Sequence, residues 1–419
     1  MKRKILVIGS GGREHALCKK LLESPKVEEV FCAKGNAGMT LDGIQVVAID
    51  EDNHEELIAF AKKEAISWVL VGPEVPLMNG IVDDFEAAGI KAFGPKKSAA
   101  MIEGSKEFAK ELMSEFQIPT AKYQSFSDSQ LAFAYVEKQH LPIVIKADGL
   151  AAGKGVVIAE TLSEAKEALK EMLDDNLFQN ETPKVVIEEF LVGREFSLLS
   201  FVGQSGIYPM VAAKDHKAIF DGDKGPNTGG MGAYSPVDYV TEEVESIVFE
   251  DIIKPTVAGM AAKGTPFTGI LYTGLILTDE GPKVIEYNAR FGDPETQVLL
   301  ERLDSDFSEV IESLLMNDTP EIKWKQDGVT LGVVVAAKGY PSEYEKNVLI
   351  PELTTDDETK VFYSGVTKKE DELISSGGRV FLVAQSATTK EEAHENAYSW
   401  LENQGLENFY YRKDIGKTV

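Results

Sequence analysis

The first hundred residues alternate short β-branched runs with amphipathic stretches. Apolar runs lie near Ile5–Ile8, Glu29–Cys32, Val46–Ile49, Trp68–Val71 and Lys91–Phe93, and helical periodicity fills gaps such as Glu55–Glu64. Strands alternating with helices predict a mostly parallel sheet covered by helices. Beyond residue 102 the pattern changes. Gly104-Ser105 predicts a helix start, because a serine hydroxyl accepts from the first unpaired N–H groups, and Phe108, Leu112 and Phe116 then share one face. Ile118-Pro119-Thr120 ends that helix. Strands are expected around Pro142–Ala147, Val156–Ala159 and Val185–Phe190, and Ser163 is expected to start a helix over 164–173. Residues 191–320 hold more strands, a long glycine-rich loop, and helices near 242–262 and 297–315. Val329–Ala336 opens a last α/β section, with a strand near Val380–Val383 and a helix near Lys390–Asn403. The reading is a multidomain α/β and α+β chain divided at 1–102, 103–322 and 323–419, with a compact unit at about 122–190 inside the middle part.

Residues 284–297 carry the strongest chemical signal. Val-Ile-Glu-Tyr-Asn-Ala-Arg follows an apolar run, Ile270 to Leu277, and the turn Asp279-Glu280-Gly281-Pro282, so it reads as the second strand of a hairpin. Alternate residues of a strand share a face. Val284, Glu286, Asn288 and Arg290 are therefore expected in one row, with Ile285, Tyr287 and Ala289 turned toward a core. Glu and Asn oxygens are hard ligands of the kind Mg²⁺ accepts while it keeps waters and phosphate oxygens. The Arg290 guanidinium matches a carboxylate or phosphate. A lone Glu-x-Asn-x-Arg is also what an exposed polar strand face looks like. The Gly292-Asp293-Pro294 turn that follows and the sites below favour a functional row.

Composition narrows the class. With 419 residues the chain exceeds one ordinary core, and 43% hydrophobic with 27% charged residues are the proportions of a soluble globular protein. A net charge of −26 argues against nucleic-acid or anionic-membrane partners, yet leaves room for an anionic substrate in a local basic pocket. Cys18 and Cys32 are the only cysteines, and no Cys/His cluster has metal spacing, which suits a reducing, cytoplasmic setting. Lys2-Arg3-Lys4 before Ile5–Ile8 is better read as a first strand than as a signal peptide, because the apolar run is short and Arg13-Glu14-His15 interrupts it.

Two further segments suggest a nucleotide. Lys146-Ala-Asp-Gly149-Leu-Ala-Ala-Gly153-Lys154-Gly155 lies between apolar runs. It is not a Walker A loop: Gly149 and Gly153 are one residue too close, Gly155 stands where Ser/Thr belongs, and a strand follows. It fits a hairpin whose glycine-rich tip, with Lys154, folds over a triphosphate as a lid. Val186-Ile-Glu188-Glu189-Phe190-Leu191-Val-Gly193-Arg-Glu195 is an apolar strand ending in paired carboxylates. Backbone groups at 189–191 could read an adenine edge, and Glu195 could accept from ribose hydroxyls.

This order of parts resembles the ATP-grasp superfamily, in which two α+β subdomains hold ATP between them. Closer motifs are Gly9-Ser-Gly-Gly-Arg13-Glu14-His15-Ala, Gly35-Asn36-Ala-Gly38, Gly72-Pro-Glu74-x-Pro76-Leu77, Glu103-Gly-Ser-Lys106, Gly225-Pro-Asn227-Thr-Gly-Gly-Met-Gly232, Arg290-Phe-Gly-Asp-Pro-Glu295 and Tyr411-Arg412-Lys-Asp414-Ile-Gly416. Together they resemble the phosphoribosylamine–glycine ligase (glycinamide ribonucleotide synthetase) family over almost the whole chain. The resemblance implies an N-terminal Rossmann-like domain, an ATP-grasp region and a small C-terminal α/β domain. It implies ligation of glycine to 5-phosphoribosylamine with ATP and Mg²⁺ or Mn²⁺, in purine biosynthesis, by a monomer with small-molecule partners only.

Carried over residue by residue, Lys106, Lys146, Gly153 and Lys154 are expected at the ATP phosphates or adenine side. Glu188, Glu189, Phe190 and Leu191 are expected along the adenine, Glu195 at the ribose, and Lys214 and Asn227 at the phosphate–metal region. Glu286 and Asn288 are the expected metal ligands. Gly11, Gly12, Arg13, Asn36 and Gly38 are expected near phosphoribosylamine, with Gly229, Gly230, Met231 and Asp293 also lining substrate. Asp215 is expected close to the reacting groups. Arg290 is expected to hold a substrate anion, the glycine carboxylate first and phosphoribosylamine as the alternative. Two positions depart from the family: Ala218 stands where Arg usually follows Asp-His-Lys, and Lys214 where Gln is usual, so Lys214 or Lys217 is expected to replace the lost cation. A Rossmann dinucleotide reading of Gly9-Ser-Gly11-Gly12 fails because Glu14 occupies the third glycine position. Another ATP-grasp ligase or ribonucleotide carboxylase is the enzyme alternative, and a non-catalytic nucleotide-binding regulator the other class. The glycine-rich and Arg-Phe-Gly-Asp-Pro motifs argue against the first, and retention of Glu286, Asn288 and the lid lysine argues against the second.

Overall fold

Five short parallel strands begin the chain, in the spatial order Gln45–Val47, Val27–Lys34, Arg3–Gly9, Trp68–Val71, Ala92–Phe93. Ile5, Leu6, Val7 and Ile8 are all fully buried, as expected where helices cover both faces of a parallel sheet. The strand order reverses between Arg3–Gly9 and Trp68–Val71, so Gly9 and Gly72 mark the switch point of the sheet, beside the start of helix Gly12–Leu22. The computed structural model describes residues 2–149, 155–178, 183–355 and 358–417. Among these, no helix is long and apolar enough to cross a membrane.

A four-stranded antiparallel sheet follows, ordered Tyr123–Phe126, Val185–Glu189, Ile143–Ala147, Val156–Ala159. Ile143, Ile145, Val185, Ile187 and Leu169 belong to a hydrophobic cluster of its own, separate from the two larger cores. Its helix begins earlier than Ser163. Thr161 is the cap, accepting from Glu164 N, while the Glu164 side chain accepts from the Thr161 N–H. That reciprocal pair outcompetes a serine two residues later.

The third sheet is antiparallel, ordered Gly206–Pro209, Arg194–Gly203, Gly269–Thr278, Gly281–Asn288, and its last two strands form the expected hairpin. The fourth joins Lys214–Asp215 and Gly232–Ser235 to Val329–Ala337, Arg379–Ala387 and Thr359–Tyr363, with Phe409–Tyr410 also pairing to Val329–Ala337. It thus draws strands from both sides of residue 322. The helix expected over 297–315 is two helices, Glu295–Arg302 and Phe307–Leu315. Leu303 turns extended, with ψ 117°, and Asp306 caps the second helix by accepting from Glu309 N.

Candidate active site

The strand Gly281–Asn288 contains a β-bulge. Glu286 lies opposite Gly274 and Asn288 opposite Tyr272, but Val284 lies opposite Leu275, leaving Ile285 as the extra residue. The bulge corrects the expected row. Val284 turns to the core face and is fully buried, while Glu286, Asn288 and Arg290 stay together on the other. It also aims the Ile285 carbonyl at the Lys146 ammonium, 3.0 Å away. Gly274 gives Glu286 its room, since a Cβ there would sit 3.1 Å from Glu286 Cγ.

Glu286 Oε1 is 3.3 Å from Lys217 Nζ. The lysine charge, against partial burial, holds the Glu286 carboxyl down at about 2, and Lys217 in turn is raised above the ordinary lysine range by Glu286. Asn288 Oδ1 accepts from Arg290 Nη2 at 3.4 Å. The rest of the Arg290 fork is engaged: Nε donates to Glu74 Oε2 at 3.0 Å, and Nη2 lies 3.0 Å from Glu103 Oε1. Glu103 also accepts from the Ala289 amide, so it anchors the strand end as well as the guanidinium.

Beneath this row lies a buried acid that sequence reasoning placed in a motif without a role. Glu295 is 3% exposed, and its Oε1 accepts from Tyr272 Oη at 2.9 Å, with Ser197 Oγ 2.8 Å from the same tyrosine oxygen. Burial, then the Asp215 carboxylate, pushes the Glu295 carboxyl up to about 7. Asp215 faces Lys217 at 4.0 Å. The available signal was position: an acid in the first turn of a helix, directly after a Gly-Asp-Pro turn.

On the nucleotide side, Lys106 starts the helix Lys106–Glu115 and donates to the Gly149 carbonyl at 2.8 Å. Asp148 caps the same helix, accepting from Lys106 N at 2.6 Å. Lys146 is buried and lies 3.0 Å from Glu188 Oε1. Lys110, absent from the sequence-based set, approaches the other oxygen of Glu188 at 3.3 Å. It stands four residues after Lys106, hence on the same helix face, a spacing that could have revealed it. Glu189 points elsewhere, accepting from Lys122 N at 2.9 Å. Phe190 is exposed, as is Glu195, whose carbonyl receives Lys214 Nζ at 3.4 Å. Lys217, not Lys214, is therefore the cation beside the Glu286 row. Asn227 is exposed at the end of a two-stranded hairpin, Ala218–Phe220 with Lys224–Asn227. Gly153 and Lys154 lie outside the described residues.

At the switch point of the parallel sheet, Gly11 N donates to Glu14 Oε2 and Arg13 Nε to Glu14 Oε1. A Cβ at Gly72 would overlap Glu14 Oε1, so this side chain fills the place between Gly9 and Gly72 where a dinucleotide would need glycine. Gly12 N donates to Ser364 Oγ at 2.7 Å. Asp293 lies close by: a Cβ at Gly11 would be 3.6 Å from its Oδ2. Despite burial, Arg379 and Arg13 hold the Asp293 carboxyl below the usual carboxylate range, Arg379 Nη2 being 2.9 Å from Oδ2. Arg379 comes from the far C-terminal part of the chain, and no local motif announced it.

Five expected substrate residues are bonded or packed within the chain. Asn36 gives Nδ2 to the carbonyls of Ser10 and Tyr363 and accepts from Gly38 N. Gly38 packs against the Tyr363 ring. Met231 is fully buried, and its amide donates to His216 O. The Gly230 amide donates to Thr228 Oγ1. Gly229 gives its N–H to Tyr340 Oη and its carbonyl to Arg379, which ties the glycine-rich loop to the same C-terminal part.

The chain end straps the hairpin beside the row. Arg412 is fully buried, paired through Nε and Nη2 with Asp414 and donating through Nη1 to Ala218 O and Asp223 Oδ1. Asp414 accepts from Gly222 N, Tyr410 Oη donates to Ile219 O, and Gly416 N donates to His216 Nε2. His216 is therefore a strap partner, not a residue facing the row.

Comparison with known proteins gives the family and the fold. Family models described as phosphoribosylglycinamide synthetase match in order: the N domain over residues 3–103, the ATP-grasp (A) domain over 104–296 and the C domain over 330–418. A phosphoribosylamine–glycine ligase of Listeria innocua is 55% identical over 414 residues, covering 98% of this chain and 99% of the relative. One from Streptococcus pyogenes is 54% identical over 418 residues, covering 99% of each. Among solved structures, phosphoribosylamine–glycine ligase of Thermotoga maritima superposes with a TM-score of 0.85 at 32% identity, covering 98% of this chain and all of that one. The biotin carboxylase domain of Hydrogenobacter thermophilus 2-oxoglutarate carboxylase, solved with MgADP, ADP and bicarbonate, gives 0.77 at 14% identity over 98% of this chain and 92% of that one, a likeness of fold alone. The chain belongs to the phosphoribosylglycinamide synthetase family and has the ATP-grasp fold.

Proposed function

We propose that this protein is a monomeric, cytoplasmic ligase that joins glycine to 5-phosphoribosylamine at the expense of ATP, giving glycinamide ribonucleotide, ADP and phosphate in purine biosynthesis. The observation that carries this reading is the row Glu286, Asn288 and Arg290, with Lys217 at Glu286 and Lys146 at the adjoining bulge. A carboxylate does not react with an amine until one oxygen becomes a leaving group. A glycine carboxylate oxygen attacks the γ-phosphorus, the bond to ADP breaks, and glycyl phosphate results. The amine of phosphoribosylamine then attacks the acyl carbon. The C–N bond forms as the C–O bond to phosphate breaks, and the nitrogen loses a proton.

Phosphoryl transfer asks mainly for positioning and charge neutralisation. Lys106 and Lys146 hold the polyphosphate. The backbone at Glu189 to Leu191 and the exposed Phe190 take the adenine, and Glu195 the ribose. Glu286 and Asn288 fit a divalent cation: both present hard oxygens on one face, and the Glu286 carboxyl stays ionised. When bound there, Mg²⁺ or Mn²⁺ supplies positive charge to the phosphate oxygens. Asp215 and Lys217 face the reacting groups, and Arg290 orients a substrate carboxylate. Gly11, Gly12, Arg13 and Asp293 form the phosphoribosylamine end, built by segment 1–102 against 103–322, with 323–419 contributing Arg379.

The test uses glycine labelled with ¹⁸O in the carboxylate and phosphoribosylamine formed in situ. One label is expected in inorganic phosphate, with release of ADP dependent on both substrates. Phosphate without label, or ADP release indifferent to glycine, would overturn the reading.

A further inference from the structure

Lys110 is among the most buried charges of the chain, 2% exposed, and nothing above gives it a task. Its ammonium donates to Thr120 Oγ1 at 2.8 Å, lies 3.3 Å from Glu188 Oε2, and sits 5.5 Å from the centre of the Tyr123 ring. Glu188 is itself 5% exposed and lies 3.0 Å from Lys146, which is also 5% exposed. Two ammonium groups therefore share one carboxylate out of water. A buried carboxylate with a single lysine would form a neutral pair, and that lysine would have little field to offer a third group. The second lysine leaves the trio with one net positive charge. Lys146 also touches the bulge carbonyl of Ile285, next to Glu286, so the uncompensated charge lies on the side of the metal row.

We propose that Lys110 is a positioning residue for the nucleotide: it neutralises Glu188, so that Lys146 presents an unspent charge to the polyphosphate. This rests on the reading that Lys146 meets the nucleotide phosphates. Burial, opposed by Glu188, lowers Lys110 to about 8, so it still carries its proton at neutral pH.

The experiment measures Mg-ADP affinity calorimetrically and adenosine affinity by ligand-observed NMR on the full chain. Lys110→Met removes the charge at similar length. It should weaken Mg-ADP about tenfold or more and leave adenosine within about twofold. Lys110→Met combined with Glu188→Gln returns the trio to one positive charge and should recover Mg-ADP affinity to near wild type. Equal loss of adenosine and Mg-ADP, or no recovery in the double variant, would mean that Lys110 merely supports the fold. If Lys110→Met does not fold, Glu188→Gln alone and the double variant carry the same test. The single variant, with two positive charges, should bind Mg-ADP more tightly than the double, and equality overturns the proposal. Failure of the wider reading looks different, since the wild type would then bind no Mg-ADP.

Discussion

Lys217 Nζ lies 3.3 Å from Glu286 Oε1. A divalent cation held by Glu286 and Asn288 would therefore compete with this lysine for one carboxylate. A cation held there would free the lysine for phosphate oxygens, where its charge would add transition-state stabilisation. Lys217→Met should lower the Mg²⁺ concentration for half-maximal activity, because the rival is gone. It should also lower kcat by about 10²-fold, the scale of losing one preorganised charged donor. A Mg²⁺ titration at saturating ATP checks both, and a raised Mg²⁺ requirement would show that lysine and metal act together.

Glu295 ties stability to pH. Its carboxyl is raised from 4.5 to about 7 by burial and by Asp215. The folded chain therefore holds a proton that the unfolded chain releases, between pH 4.5 and about 7. This contribution is full below 4.5 and is lost as pH rises through about 7, by about 3 kcal/mol at most. Glu295→Gln mimics the protonated acid and keeps its size. The wild-type Tm should fall more steeply from pH 5 to pH 7.5 than that of Glu295→Gln. Parallel curves would mean that Glu295 is ionised throughout.

The strap at the chain end makes a separate claim. A two-stranded hairpin is marginal by itself, and Ala218–Asn227 gains its support from Arg412, Asp414 and Tyr410. Lys217 begins this segment, so loosening the strap should act through Lys217. Tyr410→Phe, which loses one bond, should raise hydrogen exchange over 218–227. Arg412→Lys keeps the charge and loses the fork, and should lower kcat about tenfold in the wild type yet add little to Lys217→Met. Multiplying effects in the double variant would place Arg412 outside that route.

How much of this was legible in the sequence depended on range. The parallel sheet was readable because Ile5–Ile8 and Trp68–Val71 are continuous apolar runs. The cap at Ser105 was readable because it acts three residues away, on Phe108 N. The Ile285 bulge was not, since it arises from how two strands pair, and it moved Val284 to the core. The 297–315 helix broke at Leu303, which pairs with Trp324 in an isolated bridge that no local pattern announces. In the site, Glu286 and Asn288 stood out by alternation. Lys110 and Arg379 did not, because Glu188 and Asp293 lie 78 and 86 residues away, and the Arg412 motif did not show that Nη1 reaches Ala218, 194 residues away.

Arg290 gives the sharpest remaining test. Its Nε and Nη2 are held by Glu74, with a side chain 31% exposed, and by Glu103, 7% exposed. A substrate carboxylate that uses this fork must displace one of them, and the exposed partner is the easier to move. Replacing Glu74 by Gln leaves the shape and weakens its grip, because a neutral amide oxygen binds guanidinium less strongly than a carboxylate does. If the fork receives glycine, Glu74→Gln should lower the KM for glycine several-fold and leave that for ATP unchanged. Arg290→Lys should raise the KM for glycine, since lysine keeps the charge without the planar pair of donors. If Glu74→Gln instead moves only the KM for phosphoribosylamine, the fork belongs to that substrate. If neither KM moves and the Tm falls, the Glu74–Arg290–Glu103 group is a joint between the N-terminal segment and the strand Gly281–Asn288. The glycine carboxylate would then need another cation, with Lys217 the next candidate: the amides of Gly229, Gly230 and Met231 are already donated within the chain.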